Sequence, residues 1–309
     1  MTAAHHPTPK LAQPSLRDVP APAKLNLFLH VVGQRDDGMH LLQSLFVLID
    51  WGDTLHFTRR DDGGLTRKDL GATLPDNDLT LRAARALKAA SGTRFGADIQ
   101  VEKSVPWGAG LGGGSSDAAS TLIALNRLWG LGLPRSRLAE IAATLGADVP
   151  FFIGGQNAIV QGIGDVLMPV SLQPRRFLVV KPVASLATAD VFKHPAVNRD
   201  TPALTPTAIL AGFTACDKNN TFGHNDLQSA AIALCPEVGS ALTTLRRHVG
   251  HARMSGSGSA VFASFGETDN VSDAPGSSLA SMLEQFRLQG WTARVCRSLA
   301  RHPLDDWVG

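Results

Sequence analysis

The chain has 309 residues, which is more than one hydrophobic core usually supports, so two domains are expected. Its 44% apolar and 18% charged residues are typical of a globular protein and argue against a disordered or fibrous chain. Because 29 Lys and Arg face 27 Asp and Glu, the formal charge is only +2, and no overall field favours nucleic acid or an anionic membrane as a partner.

The N-terminal segment 1–18 predicts a disordered tail. It contains no apolar core of signal-peptide length, and no later run approaches the ~20 apolar residues of a membrane span. Its neighbouring residues His5 and His6 are more typical of such a tail than of a metal site, because few other candidate ligands lie nearby.

The folded part is predicted to begin at Val19 with two strands, VPAPAKLNLFLHVVG and LLQSLFVLIDWG, on either side of the polar turn QRDDGMH. The next segment, TLHFTRRDDGGLTRKD, predicts a hairpin that bends at residues 62–64. A helix is then predicted in NDLTLRAARALKAASG, with Asp78 as a candidate N-cap and Gly92 as its end.

A glycine-rich loop follows, PWGAGLGGGSS at residues 106–116, with five glycines between Gly108 and Gly114. Glycine in a packed element costs roughly 0.5–1 kcal/mol relative to alanine, so this density needs a compensating use. An alternating strand pattern precedes the loop, and a helical pattern with cap-type residues at 115–117 follows it. Strand, glycine loop and helix together direct backbone N–H groups at one spot, which favours a phosphate site over a plain turn.

Two familiar phosphate motifs fit this loop poorly. Gly108, Gly110 and Gly113 satisfy the dinucleotide pattern G-x-G-x-x-G, but the strand before them is half polar and no carboxylate stands roughly 20 residues later. No Gly-Lys-Ser/Thr follows the loop, so it is not a Walker A loop. The sequence therefore predicts another kind of nucleotide-phosphate architecture.

The remainder of the first half predicts a helix in PRSRLAEIAATLG, with Ser136 as a candidate cap. In the following GADVPFF, Pro150 is expected to prevent a helix and to hold Val149 extended. QNAIVQGIGDVLMPV predicts two short strands around a glycine turn. Because strands and helices do not alternate strictly, these elements favour an α+β fold.

The second half is expected to begin near residues 168–174. It predicts a strand in RRFLVVKPV, a helix in NDLQSAAIALCPEV capped by Asn225, and a small-residue loop that leads into a strand in MSGSGSAVFASFG. The helix SSLASMLEQFRLQG and the strand WTARVCRSL complete it.

The cysteine usage predicts a reducing compartment. The three cysteines, Cys216, Cys235 and Cys296, are widely spaced and form no C-x-x-C pair. Reduced, buried thiols of this kind are typical of the cytoplasm, which is the expected location.

Four blocks in this order, PAKLNLFLHVVG, PWGAGLGGGSSDAAS, GADVPFF and MSGSGSAVFASF, resemble the GHMP kinases, which include galactokinase and the homoserine, mevalonate and phosphomevalonate kinases. The resemblance runs from about Val19 to the C-terminus. It implies an α+β fold with an N-terminal, ATP-binding domain at residues 19–168 that is ribosomal-protein-S5-like. A ferredoxin-like C-terminal domain would span residues 169–309, with the site in the cleft between the two.

The blocks GMHLLQSLF and VFKHP further resemble the GHMP kinases of the non-mevalonate isoprenoid pathway. Those kinases act on a small molecule, a cytidine diphosphate-linked methylerythritol, and the resemblance implies transfer of the ATP γ-phosphate to its 2-hydroxyl. The alternatives are another GHMP kinase, of the mevalonate or homoserine type, and a nucleotide-binding regulator without catalysis. The sequence leaves the oligomeric state open.

Two catalytic residues are implied by the resemblance. Asp148 of the GADVP block would accept the hydroxyl proton, and Lys24 of the PAKLN block would approach the same hydroxyl and the carboxylate. Without the resemblance, Asp148 could be a turn residue before proline, and Lys24 could belong to a solvated strand face. Against the second alternative, Asn26 and Phe28 share the face of Lys24 and make an unusual solvent surface.

The substrate-binding residues implied are Asn26 near the substrate alcohols, His40 on the cytosine, and Phe192 over the other face of the base. Met39 stands where these kinases usually carry a tyrosine that stacks on cytosine, and the chain has no tyrosine at all. Stacking on an aromatic ring is worth roughly 1–3 kcal/mol and a thioether contact about 0.3–1.5 kcal/mol, so we expect a weaker hold on cytidine. Phe46 and Trp51 are the aromatic residues near enough in sequence to compensate.

The resemblance also implies that ATP, with Mg²⁺ as part of the nucleotide complex, binds at the glycine-rich loop. The implied ATP-binding residues are Lys103, Pro106, Gly108, Ala109, Gly110, Leu111, Gly112, Gly113, Gly114, Ser115 and Ser116. Asp78 is either an adenine or ribose contact or, as favoured, only a helix cap. Asp117 is either a Mg²⁺ ligand through water or an acid that complements the helix dipole. A second small-residue loop, Ser255–Ser259, is expected to shape the pocket from the C-terminal domain.

Overall fold

The computed structural model describes residues 14–215, 222–266 and 279–309. The first part of the chain forms a six-stranded sheet and the helices packed on it. Its strands are β1 (Ser15–Gln34), β2 (His40–Arg60), β3 (Leu65–Asp69), β4 (Gly96–Glu102), β5 (Ala158–Gln161) and β6 (Val166–Pro169). Its helices are α1 (Leu79–Ser91), α2 (Gly113–Leu128), α3 (Arg135–Ala143) and α4 (Val149–Gly154).

The order of this sheet is β3-β4-β2-β5-β6, with β1 also paired to β2. β1 lies antiparallel along one edge of β2, while β5 and β4 share the other edge. A core that includes Phe57, Leu122 and Phe151 joins the sheet to its helices. Side chains on both faces of the middle of β1 are buried, because this strand also meets the second part of the chain.

The second part forms an antiparallel sheet of four strands in the order β10-β7-β9-β8. These strands are β7 (Arg175–Lys181), β8 (Arg253–Met254), β9 (Val261–Gly266) and β10 (Thr292–Arg297). The helices are α5 (Thr188–Lys193), α6 (Pro206–Ala215), α7 (Gln228–Leu234), α8 (Pro236–Val249) and α9 (Leu279–Leu288). The α+β, two-domain prediction is thereby confirmed.

The domain limits differ from the predicted ones at both ends. β1 begins at Ser15, so residues 15–18 belong to a strand and not to a tail, while residues 1–13 lie outside the described part. After β10 the chain returns to the first sheet, where the N–H of Leu299 donates to the carbonyl of Leu48 at 2.8 Å. Leu304 and Val308 are buried in the first core, so residues 298–309 pack with the N-terminal domain.

The predicted hairpin around residues 62–64 is wrong. β3 does not pair with β2; it lies parallel to β4, from Leu65 beside Ala97 to Asp69 beside Val101. The reason is that β1 and β4 already occupy both edges of β2 in this region. The outer edge of β4 is therefore the one left for β3.

Two helix starts also differ from prediction. Helix α3 has Pro134 as its N-cap instead of Ser136. Val149 is not extended, because α4 begins at this residue and Pro150 sits in its first turn. Proline is tolerated there, since the N–H that it lacks has no partner within the helix.

Of the three cysteines, Cys235 and Cys296 are buried and unpaired, as predicted, and Cys216 lies outside the described residues. Burial raises the pKa of the Cys296 thiol to about 12, so this thiol stays protonated and unreactive. Within the described ranges, no helix combines the length and the apolar character that a bilayer crossing requires.

Acid is expected to destabilise the fold through His302, which is buried in the returning C-terminal segment. Burial, assisted by Arg135, lowers the pKa of His302 to about 4. Between pH 6.5 and about 4 the unfolded chain binds a proton that the folded chain does not, so stability is complete above this range and falls with pH inside it. His302→Gln is expected to remove about 3 kcal/mol of that loss. Urea unfolding at several pH values measures it, and equal pH slopes in the two proteins would contradict it.

Candidate active site

A cavity of about 650 Å³ lies between the two domains and collects nearly all of the predicted site residues. The predicted residues that line it are Lys24, Asn26, Met39, His40, Lys103, Pro106, Gly108, Ala109, Gly110, Leu111, Gly112, Gly113, Gly114, Ser115, Asp148 and Phe192. Thr188 and Phe192 of α5, with Gly256 and Ser257, close it from the C-terminal domain. The predicted site residues therefore come together in the cleft between the two domains.

Lys24 and Asp148 meet in the middle of this cavity. The Lys24 ammonium lies 3.4 Å from Oδ2 of Asp148 and donates to Oδ1 of Asn26 at 2.5 Å. It also lies 4.6 Å from the centre of the Phe46 ring. Because the Lys24 residue is only 3% exposed, the alternative of a solvated strand lysine does not hold. The pair places a carboxylate and a buried cation at one point.

Asp148 keeps its carboxylate available to the cavity. It precedes α4 as the N-cap residue, yet its side chain makes no capping hydrogen bond to that helix. The side chain is 31% exposed, against 4% for its lysine partner. A role as a turn residue alone therefore does not explain why the Asp148 carboxylate faces the cavity. One side of it is held by Lys24 and the rest can meet a ligand.

Asn26 is fixed by a hydrogen-bond chain that crosses the domain boundary. Its Nδ2 donates to Oγ of Ser44 at 3.0 Å, and Ser44 donates to the carbonyl of Phe28. The Asn26 N–H donates to Oγ of Ser255 at 3.2 Å, and this hydroxyl donates to the Gly110 carbonyl at 3.0 Å. The amide is thus oriented with Oδ1 towards Lys24. Sequence reasoning missed Ser44, because a lone serine in a strand carries no signal.

The glycine-rich loop forms the start of α2. Gly112 is the N-cap in a left-handed conformation, and the helix begins at Gly113, so the predicted cap residues at 115–117 lie inside the helix. The first N–H that bonds within the helix is that of Ser116, to the carbonyl of Gly112. The amides of residues 113–115 therefore have no intrahelical acceptor at the positive end of the helix, and these residues line the cavity. This geometry suits an anionic group such as phosphate.

Two glycines of the loop are required by their surroundings. Gly110 has φ +72°, and a Cβ atom there would lie 2.2 Å from the carbonyl oxygen of Ser255. Gly112 has φ +71°, and its Cβ would lie 3.0 Å from Cγ of Lys24. The loop thus packs directly against both the second small-residue loop and the lysine.

The second small-residue loop is held by Asn225. Its Nδ2 donates to the carbonyls of Met254 and Gly256, at 2.8 and 2.9 Å. Asn225 was predicted to cap α7; the N-cap of that helix is Leu227, and the N–H of Leu227 donates to Oδ1 of Asn225 at 2.9 Å. The Nδ2 end of the same side chain fixes the loop that reaches Gly110.

The other end of the glycine-rich loop is fixed by a buried ion cluster of Asp53, Lys103 and Asp117. Asp53 Oδ1 accepts the N–H groups of Ser104 and Val105, at 2.6 and 2.8 Å. The Lys103 ammonium donates to Oδ2 of Asp53 and, at 2.6 Å, to Oδ2 of Asp117. Burial alone would lower the pKa of Lys103, but the two carboxylates outweigh it and raise the pKa. Sequence reasoning missed Asp53, which lies some 50 residues before its partners.

Two predicted nucleotide-site residues belong to this cluster. Lys103 lines the cavity, and its ammonium is bound by two carboxylates. Asp117 is buried at the helix and accepts a hydrogen bond from Lys103 at 2.6 Å; burial raises its pKa to about 7, against the opposite effect of the Lys103 charge. Among the described residues no group of three His, Cys, Asp or Glu side chains could hold a metal ion.

Two further predicted contacts are not at the cavity. Ser116 is fully buried, and its N–H donates to the carbonyl of Gly112 at 2.9 Å. Asp78 caps α1, where Oδ1 accepts the N–H of Leu81 at 3.1 Å and also pairs with Arg67 at 2.6 Å. The favoured interpretation of Asp78 as a helix cap is confirmed.

The opposite end of the cavity carries the residues predicted to bind cytidine. The rings of His40 and Phe192 lie 5.0 Å apart and inclined by 36°. Arg199 donates from Nε to Nε2 of His40 at 3.2 Å, a contact that sequence reasoning missed. Burial, and then the charge of Arg199, lower the pKa of His40.

Met39 lies at this end too, 48% exposed. Neither candidate aromatic replaces the missing tyrosine. Trp51 is buried, with Nε1 donating to the carbonyl of Ser104 at 3.0 Å, and Phe46 lies against the Lys24 ammonium. The exposed Trp107 belongs to the glycine-rich loop and also lines the cavity, and sequence reasoning missed it.

Two segments of the chain match the domains of a known protein family. Residues 78–156 match the N-terminal domain of the GHMP kinases, and residues 214–277 match the C-terminal domain of the same kinases. The two matched segments fall in the two domains of the structure, on either side of the cavity.

Full-length relatives give a closer match. The chain is 55% identical to a 4-diphosphocytidyl-2-C-methyl-D-erythritol kinase of Methylibium petroleiphilum, over 96% of this chain and 99% of that protein. It is 52% identical to the protein of the same name from Paracidovorax citrulli, over 95% and 98% of the two chains. A crystal structure of 4-(cytidine 5'-diphospho)-2C-methyl-D-erythritol kinase matches with a TM-score of 0.74 and 34% identity, over 90% of this chain and 98% of that one. A homoserine kinase from Cytophaga hutchinsonii, at 17% identity and a TM-score of 0.69, shares the fold.

Proposed function

Because the chain belongs to the 4-diphosphocytidyl-2-C-methyl-D-erythritol kinase family of the GHMP kinases, we propose that it phosphorylates the 2-hydroxyl of this cytidylated alcohol with ATP. The products would be the 2-phosphate and ADP, in the non-mevalonate route to isoprenoid precursors. The observation that carries the proposal is the Lys24–Asp148 pair, which stands in one cavity between a phosphate-type loop and the His40–Phe192 rings.

The catalytic roles follow from the chemistry of phosphoryl transfer. The substrate hydroxyl oxygen forms a bond to the γ-phosphorus, the bond from that phosphorus to the bridging oxygen of ADP breaks, and the hydroxyl proton passes to Asp148. Lys24, 3.4 Å from the carboxylate, stabilises its negative charge and helps to hold the hydroxyl in line. Asn26 fixes the lysine through its Oδ1 atom.

The free amides at the start of α2 would hold the phosphates of ATP. Backbone N–H groups at a helix N-terminus are already aimed, so they need no rearrangement when the triphosphate arrives. Within the described part of the chain, no group of three His, Cys, Asp or Glu side chains could hold a metal ion, and the candidate ligand Asp117 is bonded to Lys103. We infer that Mg²⁺ reaches the site as part of the nucleotide complex. A cytoplasmic location remains a prediction, supported by the two unpaired buried thiols.

The test is a measurement of ADP release with three alcohols: 4-diphosphocytidyl-2-C-methyl-D-erythritol, mevalonate and homoserine. ADP release with the first alone is the expected result. Release with mevalonate or homoserine would favour another GHMP kinase, and no release with any of them would favour a regulator. The first outcome is favoured because the mevalonate and homoserine kinases share only the fold, at 17% identity or less.

Substituting Met39 by tyrosine is expected to lower the KM for the cytidylated substrate about fivefold, with little change in kcat. The reason is that ring stacking on cytosine is worth about 1 kcal/mol more than a thioether contact. Steady-state kinetics with each substrate varied in turn provides the measurement. Met168→Tyr is the matched control, since Met168 is 42% exposed on β6 and does not line the cavity. A KM that stays equal or rises would contradict the expectation.

A further inference from the structure

The contact between Arg199 and His40 has a consequence for base selection. Arg199 lies in the loop after α5, and its Nε donates to Nε2 of His40 at 3.2 Å. A guanidinium has no acceptor and does not lose its proton in proteins, so the ring nitrogen that faces it must present a lone pair. His40 is then neutral and carries its single ring proton on Nδ1.

The guanidinium itself is held in place by three backbone carbonyls. Its Nη2 donates to the carbonyls of Phe192 and His194, at 2.8 and 3.1 Å, and its Nη1 donates to that of Val197 at 3.0 Å. Four of its five N–H groups lie towards named acceptors, so the fork cannot turn away from His40 without losing them. The same residue thus ties the histidine to the segment that carries the Phe192 ring.

In the described ranges, no acid forms an ion pair with the His40 ring. α5 contributes the Phe192 ring, 5.0 Å away, and Asp37 of the β1–β2 turn is paired with Arg35 at 2.8 Å. Burial and Arg199 both lower the pKa of His40, which agrees with a neutral ring. Among the described residues, Nδ1 of His40 has no hydrogen-bond partner, and the residue lines the cavity. This nitrogen is therefore the ring donor left for a ligand.

We propose that Arg199 is a positioning residue for base selection, because it holds His40 in the Nδ1–H tautomer. In this tautomer the ring donates to N3 of cytosine. With uracil, the ring N–H would face the N3–H of the base and would stay unpaired. This inference rests on the proposed function, because it concerns the cytidine end of that substrate. Cytosine N3 carries a lone pair where uracil carries a proton, so a fixed ring donor distinguishes the two bases. A ring free to change tautomer could accept from uracil instead and would discriminate less.

The first test is made on the free protein and needs no substrate. Nitrogen-15 NMR of the histidine side chains distinguishes the two tautomers and the charged ring, and the His40 signals are assigned by their loss in His40→Gln. We expect the wild type to show a neutral Nδ1–H ring at pH 7.5. Arg199→Met, which keeps the stem and removes every donor, is expected to shift the ring towards Nε2–H. A charged or Nε2–H ring in the wild type would overturn the proposal.

The second test measures kcat/KM for the cytidylated substrate and for its uridylated analogue. Leaving a donor unpaired typically costs a factor of about 5–150, so we expect the preference of the wild type for cytidine to fall roughly tenfold in Arg199→Met. Arg199→Lys keeps a charged donor and is expected to restore part of the preference. Lys193→Gln is the matched control, because it removes one positive charge beside Phe192 on an exposed side chain, and it should leave the ratio unchanged.

A purely structural role of Arg199 would move both substrates together and leave their ratio constant. An unchanged ratio in Arg199→Met would therefore overturn the proposal even where overall activity falls. Without Arg199 the pKa of His40 should rise, so the KM of Arg199→Met for the cytidylated substrate should depend on pH near pH 6.5. The wild-type KM should not change with pH there. If the wild type phosphorylates neither alcohol, the proposed function fails, and the NMR measurement still decides the tautomer.

Discussion

Asp148→Asn is expected to lower kcat by about 10²–10⁴-fold, with the KM for ATP and for the cytidylated alcohol close to the wild-type values. Asparagine keeps the size of the side chain and its place before α4, but it cannot accept the hydroxyl proton. The loss corresponds to about 3–5 kcal/mol in the transition state. A single-turnover measurement of ADP formation separates this effect from slow product release.

The control for this variant is Asp190→Asn, on α5, whose exposed carboxylate does not line the cavity. It also removes one negative charge, but from the C-terminal domain. It therefore tests whether the loss of any one negative charge near the cleft is enough to lower activity. Activity of Asp148→Asn within about threefold of the wild type would exclude the carboxylate as the proton acceptor. In that case the side-chain amide oxygen of asparagine would position the hydroxyl as well as the carboxylate does.

Gly110→Ala is expected to abolish most of the activity and to lower the free energy of unfolding by about 2–4 kcal/mol. Left-handed backbone at φ +72° costs a non-glycine residue about 1–2 kcal/mol, and the new Cβ would lie 2.2 Å from the Ser255 carbonyl oxygen. The Cβ atom is fixed to the backbone and would meet a backbone oxygen of the other domain, so the contact can be relieved only if the two loops separate. Separation would disturb the amides that face the phosphates and would raise the KM for ATP.

Gly132→Ala provides a matched control for the backbone term. Gly132 has φ +64°, nearly the value of Gly110, but nothing lies within 4 Å of a Cβ there. The two variants share the strain of left-handed backbone and differ in the contact with Ser255. Urea unfolding and ATP kinetics on both therefore isolate the contact. Equal effects on stability and on the KM for ATP would show that the approach of the two loops is unimportant.

Local patterns predicted most of the elements and the position of the main loop. The strand, glycine loop and helix around residues 106–116, the strand pair around Gly162 and three of the C-terminal strands all follow from short-range periodicity and glycine placement. Motif resemblance added Lys24 and Asp148, whose separation of more than 120 residues gives no local signal. Their pairing at 3.4 Å depends on how β1 and α4 pack.

The residues that the sequence missed are those whose importance comes from tertiary contacts. Asp53 reads as an ordinary strand acid, yet it binds two loop amides and a lysine about 50 residues away. Arg199 reads as a loop arginine, and only the fold brings it to His40. The hairpin error has the same origin, since the sequence of β3 does not reveal that the edge of β2 is already occupied. Pairing partners and buried charge clusters are decided by the whole chain.

The return of residues 298–309 to the first sheet affects how the protein is made. Arg135 donates to the carbonyls of Asp305 and Val308, at 2.8 and 2.9 Å, so part of the support of α3 comes from the segment that the ribosome delivers after the second domain. The N-terminal domain therefore cannot complete its packing during translation of its own portion of the message. Its final closure waits until the other domain has emerged, which couples the maturation of the two halves in time.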